Sequence, residues 1–315
     1  MKTVLVTGAS GFVGAHIAKG LAALGFRVFT QCRSTLCAPE VVDIVEGSFQ
    51  LDLSDKDKVE DLIKKINPEV IVHAAAMANS TICQKDPQQA RLSNVQATSN
   101  LVAHSRPDVQ ILHVSTDLIF DGSDAPPGGF SEEHNPLPRS VYGITKAKAE
   151  QEVLRFRGPR TVLRTCLVYG PKIGSASGFL GWLKGSLEMS SQVTLYIDEW
   201  RTPIYSEDIV EAISRVISVY ETQKTFVPIL HLAGADRLSR YDFGVKLADI
   251  YGFDKSYIIP SQQSENTSNV PRPRDVSMSA QLLFERYGLK TCTAEEGLKK
   301  LKQGEQGHQV SLAAL

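Results

Sequence analysis

Three glycines at positions 8, 11 and 14, in Thr7-Gly8-Ala9-Ser10-Gly11-Phe12-Val13-Gly14, constrain this chain more than any other feature. They follow a short apolar run, Thr3–Thr7, and open a stretch in which Val13, Ile17, Leu21 and Leu24 recur at three- and four-residue spacing until Gly25. A triad between a strand and an amphipathic helix is specific in a way that a lone glycine cluster is not. Gly8 lets the chain turn sharply off the strand, and Gly11 lets backbone N–H groups approach a pyrophosphate. Gly14 lets the helix pack closely on a sheet with its N-terminus aimed at the anion. The expected ligand is a dinucleotide, with Ser10, Phe12 and Val13 beside the glycines.

The rest of the first half keeps the same rhythm. Arg27–Cys32, Val70–His73 and residues 110–115 and 161–168 are apolar strand candidates without in/out alternation, as expected for parallel strands buried on both faces. Ser54 is expected to cap a helix carrying Val59, Leu62, Ile63 and Ile66 on one face, closed by Asn67-Pro68. The pattern βαβα implies an α/β fold with a doubly wound parallel sheet of the Rossmann type. After about Tyr169 the rhythm changes: 171–177 is rich in Gly and Ser, 175–190 mixes small and aromatic residues, 237–251 reads helical and 261–269 is a polar loop. These stretches are read as a smaller α/β substrate-binding lobe. The expected division is a dinucleotide-binding domain over 1–168 with a returning segment about 203–234, the lobe over 169–202 and 235–302, and a flexible tail over 303–315.

Charge and cysteine usage narrow the partners. Formal net charge is −1 with no Lys/Arg block, so neither nucleic acid nor an anionic membrane is expected as a partner. No apolar run approaches the roughly 20 residues of a membrane span, and no export segment is expected. The five cysteines are odd in number and scattered without a CxxC pair, which argues for free thiols, no metal site and a reducing cytoplasm.

The second strand ends in Thr30-Gln31-Cys32-Arg33-Ser34, with no carboxylate before Glu40. A site preferring NAD places an acid there for the adenosine-ribose hydroxyls. Arg33 and Ser34 suit a 2′-phosphate instead, so NADP(H) is expected over NAD. Asp52 and Leu53, after the next strand, are candidates for the adenine edge.

Tyr142 and Lys146 are four residues apart and share a face if helical. A free phenol titrates near 10, too high for proton exchange at neutral pH. An ammonium ~4 Å away at an effective dielectric of about 20 is worth about 4 kcal/mol, or roughly three pKa units. The spacing therefore predicts a tyrosine tuned by its lysine, which also bonds the nicotinamide ribose. Thr116, at a strand end, is expected to polarise a substrate carbonyl while Tyr142 protonates its oxygen. Arg201 and Arg272 suit either a substrate phosphate or a salt bridge, and Trp182 and Trp200 either a sugar ring or the core.

Together with the glycine triad, the motifs His73-Ala74-Ala75-Ala76, Asn94 in Leu92-Ser93-Asn94-Val95, Ser115-Thr116-Asp117 and Tyr142-Gly143-Ile144-Thr145-Lys146 resemble the extended short-chain dehydrogenase/reductases. Ser115 through Gly122, Ser131-Glu132-Glu133, Pro138 through Gly143, Arg164, Tyr169-Gly170-Pro171 and Arg272 through Ser277 are similar to the dTDP-4-dehydrorhamnose reductases over roughly residues 1–290. The resemblance implies Ala74, Ala75, Ala76 and Asn94 at the cofactor, Asn94 in a supporting role, and Met77, Asp117, Trp200, Arg201 and Arg272 near the substrate. It implies an enzyme, an NADP(H)-dependent oxidoreductase reducing a small-molecule keto substrate such as a 4-keto-6-deoxy nucleotide sugar, and a homodimer. Leu118 stands where rhamnose-type dehydratases have an acid, which disfavours water elimination. Two alternatives stay open: a non-catalytic NADP-binding subunit resembling the regulatory subunit of methionine adenosyltransferase, and a nucleotide-sugar epimerase.

Overall fold

The computed structural model describes residues 1–123, 125–265 and 270–313. Six strands, β1 (Thr3–Thr7), β2 (Arg27–Cys32), β3 (Gly47–Gln50), β4 (Val70–His73), β5 (Gln110–Thr116) and β6 (Arg160–Thr165), are joined by Ile229–Leu232 in one seven-stranded sheet. The order is β3-β2-β1-β4-β5-β6 followed by Ile229–Leu232, and every pairing is parallel. Parallel strands need crossovers, and the helices that supply them cover both faces, so β4 is buried along its whole length. Only β3, at the edge, alternates between half-buried and exposed residues.

Helix α1 (Phe12–Ala23) starts at Gly11 with no side-chain cap and ends before Gly25, whose φ of +85° turns the chain away. It packs against the helix Ser206–Gln223 so closely that a Cβ on Gly20 would overlap the Val210 side chain. The helix Lys56–Ile66 buries Val59, Leu62, Ile63 and Ile66 as expected and closes at Asn67 in the left-handed conformation. Its cap is Asp55 and not Ser54: the Asp55 carboxylate accepts from the N–H groups of Asp57 and Lys58. Ser54 instead donates its own N–H to Asp52.

A second, smaller core holds Leu180, Leu183, Leu187, Leu195, Phe243, Leu247, Leu298 and Leu301, from the helices Gly178–Glu188, Arg240–Tyr251 and Ala294–Ala313 and the strand Val193–Tyr196. That strand pairs with Ile258–Ser261, and Trp200–Arg201 pairs antiparallel with Leu238–Ser239. Ile204–Tyr205 then pairs with Val168–Tyr169 and leads back to the main sheet.

Two boundaries differ from those expected. The helix Gln281–Tyr287, assigned to the lobe, packs Leu283 and Tyr287 into the core of the main sheet. The expected tail from Gln303 continues a helix to Ala313, because Glu305 accepts from Lys184 at 2.6 Å and from the Tyr251 hydroxyl at 3.1 Å. Residues 314–315 of that tail and 266–269 of the polar loop lie outside the described residues. Among the described residues no helix is long and apolar enough to cross a membrane.

Candidate active site

A cleft of about 760 Å³ runs along the carboxyl ends of the central strands, where doubly wound sheets gather ligands. One half is built around the glycine turn. Gly8 has φ +70°, and a Cβ there would lie 2.6 Å from the Ala75 Cα; a Cβ on Gly14 would overlap the Gly8 carbonyl oxygen. The turn is stapled to its neighbours by Gln31, whose Oε1 accepts from Gly8 N–H at 3.3 Å while its Nε2 donates to the Leu51 carbonyl at 2.7 Å. With no side-chain cap, the first-turn amides of α1 are left for an anion. The donor set and the absence of side chains over the glycines fit a dinucleotide pyrophosphate.

Gly8, Ser10, Gly11, Phe12, Val13, Gly14, Arg33, Ser34, Asp52, Leu53, Ala74, Ala75 and Ala76 all line this cleft, as do Tyr142, Lys146, Thr116, Asp117, Arg201 and Arg272. Arg33 donates to the Ser93 hydroxyl at 3.1 Å and is otherwise exposed at the rim. Four of the expected residues do not line it. Asn94 is buried in a π-helical turn, Leu92–Gln96, and spends its amide on its own surroundings. Its Oδ1 accepts from Met77 N–H at 2.7 Å, and its Nδ2 donates to the Met77 carbonyl at 3.2 Å and to Thr145 Oγ1 at 2.9 Å. Met77 is thereby clamped by its backbone, and its side chain packs with Cys83, Ala90 and Tyr142. Trp200 faces Arg237, whose guanidinium lies 4.0 Å over the indole. Trp182 is half-exposed against Phe179, in neither core nor cleft.

Tyr142 and Lys146 sit one turn apart on the helix Val141–Leu154, capped by Ser140, and both are buried. Thr116 ends β5 and caps the short turn Asp117–Ile119; its hydroxyl meets the Tyr142 phenol and donates to Asp117 at 3.1 Å. The electrostatics reverse the expected tuning. Burial raises Tyr142 above the ordinary phenol value, with the charges of Asp117 and Cys83 adding to it and the Thr116 hydrogen bond only partly offsetting. Lys146 directs its ammonium away, to the Val114 carbonyl at 2.7 Å and His113 Nε2 at 3.0 Å. Burial lowers it to about 7, against the pull of Glu150 one turn on. Helical spacing sets where two side chains start, not where a long flexible lysine ends.

The far half of the cleft is ionic. Glu199 is buried and takes Arg240 at 2.9 Å, Arg201 at 3.3 Å and Arg272 at 3.4 Å, while Arg201 also lies 3.5 Å from Asp117. Of the two readings offered by the sequence for Arg201 and Arg272, both make the salt bridge. Burial pushes Glu199 up, but the arginines prevail and hold it at about 2. Asp117 is raised, chiefly by burial, and among the described residues its Oδ2 has no hydrogen-bond partner. Sequence reasoning missed Glu199 and Arg240, for which no local signal exists, and His113, whose signal was a histidine between Leu112 and Val114 in a buried strand.

The RmlD substrate binding domain family model matches residues 1–306. The chain is 26% identical to dTDP-4-dehydrorhamnose reductase of Mycolicibacterium smegmatis, covering 99% of this chain and 85% of that one. It is also 26% identical to methionine adenosyltransferase 2 subunit beta of Xenopus tropicalis, covering 91% and 83%. Its fold superposes with a TM-score of 0.81 on the crystal structure of Bacillus anthracis dTDP-4-dehydrorhamnose reductase in complex with NADP, at 21% identity and covering 96% and 99%.

Proposed function

From a chain that belongs to the RmlD substrate binding domain family, and so to the extended short-chain dehydrogenase/reductases, we propose an enzyme that reduces a keto group with NADP(H). The observation that carries the reading is the placement of Thr116, Tyr142 and Lys146 in the same cleft as the glycine turn. Gly8, Gly11 and the first-turn amides of α1 would hold the pyrophosphate, Arg33 and Ser34 the 2′-phosphate, Asp52 and Leu53 the adenine side, and Lys146 the nicotinamide ribose. When bound, the nicotinamide supplies the hydride.

The residues of the chain supply the proton and the alignment. Thr116 would turn its hydroxyl from Asp117 to the substrate carbonyl oxygen, beside the phenol it already meets. Tyr142, raised by burial, keeps its proton at neutral pH and is therefore stored in the form a reductive step consumes. Transfer becomes favourable only as negative charge develops on the carbonyl oxygen, which is when an acid should act. Three arginines against two carboxylates give the far half of the cleft a surplus positive charge. Such a surplus suits a substrate with a diphosphate, and a 4-keto-6-deoxy nucleotide sugar fits both ends.

A panel of keto sugar nucleotides assayed by NADPH absorbance, with NADH as comparison, tests this. Tyr142→Phe should lower turnover by about 10²-fold or more and leave NADPH affinity within a few-fold; unchanged turnover would refute the proton donor. A second reading, a regulatory subunit that binds the dinucleotide without turning over, is favoured by the engagement of Lys146 with β5 and not with Tyr142. It predicts NADPH binding with no ketone reduced across the panel.

A further inference from the structure

Beneath Tyr142 and Lys146 lie two histidines that the proposed reaction does not use. His73 on β4 and His113 on β5 are register partners, with ring centroids 5.1 Å apart, and both are fully buried. Their hydrogen bonding differs. Thr98 spends its one hydroxyl proton on the Asn94 carbonyl, so Nε2 of the neutral His73 ring carries the proton and Nδ1 accepts from Thr7 Oγ1 at 2.7 Å, which itself accepts from Ala75 N–H at 3.3 Å. His73 Nε2–H then donates to Thr98 Oγ1 at 3.0 Å, and Thr98 donates to the Asn94 carbonyl at 2.6 Å. His73 is neutral and has both nitrogens satisfied. Among the described residues His113 has one hydrogen-bond partner: Nε2 accepts from Lys146 Nζ at 3.0 Å, and Nδ1 has none. An accepting Nε2 places the single ring proton on Nδ1, the neutral form.

A lysine ammonium has three N–H donors. One goes to His113, one to the Val114 carbonyl, and the third is left toward the cleft. We propose that His113 is a positioning residue: a neutral acceptor on the sheet floor that keeps Lys146 charged and aims its remaining donor at the dinucleotide ribose. This rests on the dinucleotide reading above.

The surroundings leave that task to His113. Glu150 favours the charged lysine, but it is shared with Arg164 at 2.9 Å and Ser115 at 2.5 Å. Arg164 on β6, also buried, is a like charge; His73 on β4 is neutral; Tyr142 and Asp117 face from the cleft side, one a protonated phenol and the other a carboxylate paired with Arg201. With Lys146 at about 7, a single hydrogen bond shifts the charged fraction at neutral pH. His113 itself cannot compete for the proton, since burial and the adjacent ammonium hold it well below its ordinary value.

The test compares His113→Leu, which removes the acceptor, with His113→Gln, which returns one at the reach of Nε2, and adds His113→Asn, whose acceptor is too short. Two readouts are taken: the titration of Lys146 by ¹³C,¹⁵N-lysine NMR, assigned by the signal missing in Lys146→Met, and NADPH affinity by calorimetry from pH 6 to 9. His113→Leu and His113→Asn should lower the lysine midpoint by about one unit and weaken NADPH about tenfold at pH 8, and His113→Gln should restore both to within about threefold of wild type. A folded His113→Leu, or His113→Asn if the leucine variant does not fold, with an unmoved midpoint overturns the proposal, as does a glutamine variant no better than leucine. The NMR arm needs no dinucleotide, so a wild-type chain that fails to bind NADPH is recognised separately as failure of the cofactor reading.

Discussion

At Glu199 three guanidinium groups share one carboxylate, and that arrangement has a pH signature. The carboxyl titrates near 4.5 in an unfolded chain and at about 2 in the fold. A depressed acid contributes stability that is complete above 4.5 and is lost as pH falls toward 2. Glu199→Gln should therefore cost roughly 3 kcal/mol at neutral pH, with the gap to wild type narrowing below pH 4.5. Urea unfolding at pH 7 and pH 3.5 measures this; an equal gap at both would show that the arginines do not depend on the charge. Residue-scale chemistry at Tyr142 runs the other way, since burial, only partly offset by Thr116, makes it a reluctant acid at rest.

At the scale of elements, the helix Val141–Leu154 is coupled to the glycine turn by a chain of hydrogen bonds across the sheet. It runs from Ala75 through Thr7, His73 and Thr98 to Asn94, and from Asn94 through Thr145 to the Tyr142 carbonyl. Asn94→Ala should cost about 2–3 kcal/mol by leaving buried partners unpaired and lower turnover more than NADPH affinity. Thermal melts and steady-state kinetics check both; a variant as stable and active as wild type would show the π-helical turn to be incidental. Much of this layer was legible because strands buried on both faces leave continuous apolar runs, and because the glycine turn is local in sequence. The cap of Lys56–Ile66 was misplaced by one residue because Ser54 and Asp55 are both good caps and only the tertiary path chooses. The π-turn leaves no mark, since one inserted residue hardly disturbs helical spacing. The ionic half of the cleft was legible only for Asp117, Arg201 and Arg272, because Glu199 and Arg240 carry no motif and join them only after the lobe packs.

For the whole molecule, the C-terminal helix closes the smaller lobe. Its Leu298 and Leu301 are buried, Lys302 donates to the Ile250 carbonyl at 2.6 Å, and Glu305 ties it to Lys184 and Tyr251. A chain ending at Lys302 should melt roughly 2–4 °C lower, a loss visible by calorimetry; an unchanged melting temperature would return that segment to the status of an appendage. The chain of hydrogen bonds under the cleft has a consequence for traffic. Anchored strand to strand from Thr7 to Tyr142, the floor cannot part without breaking buried polar links in series, so it acts as an anvil. Any opening of the cleft to a ligand must therefore come from the roof, carried by the lobe that holds Glu199, Arg240 and Arg272.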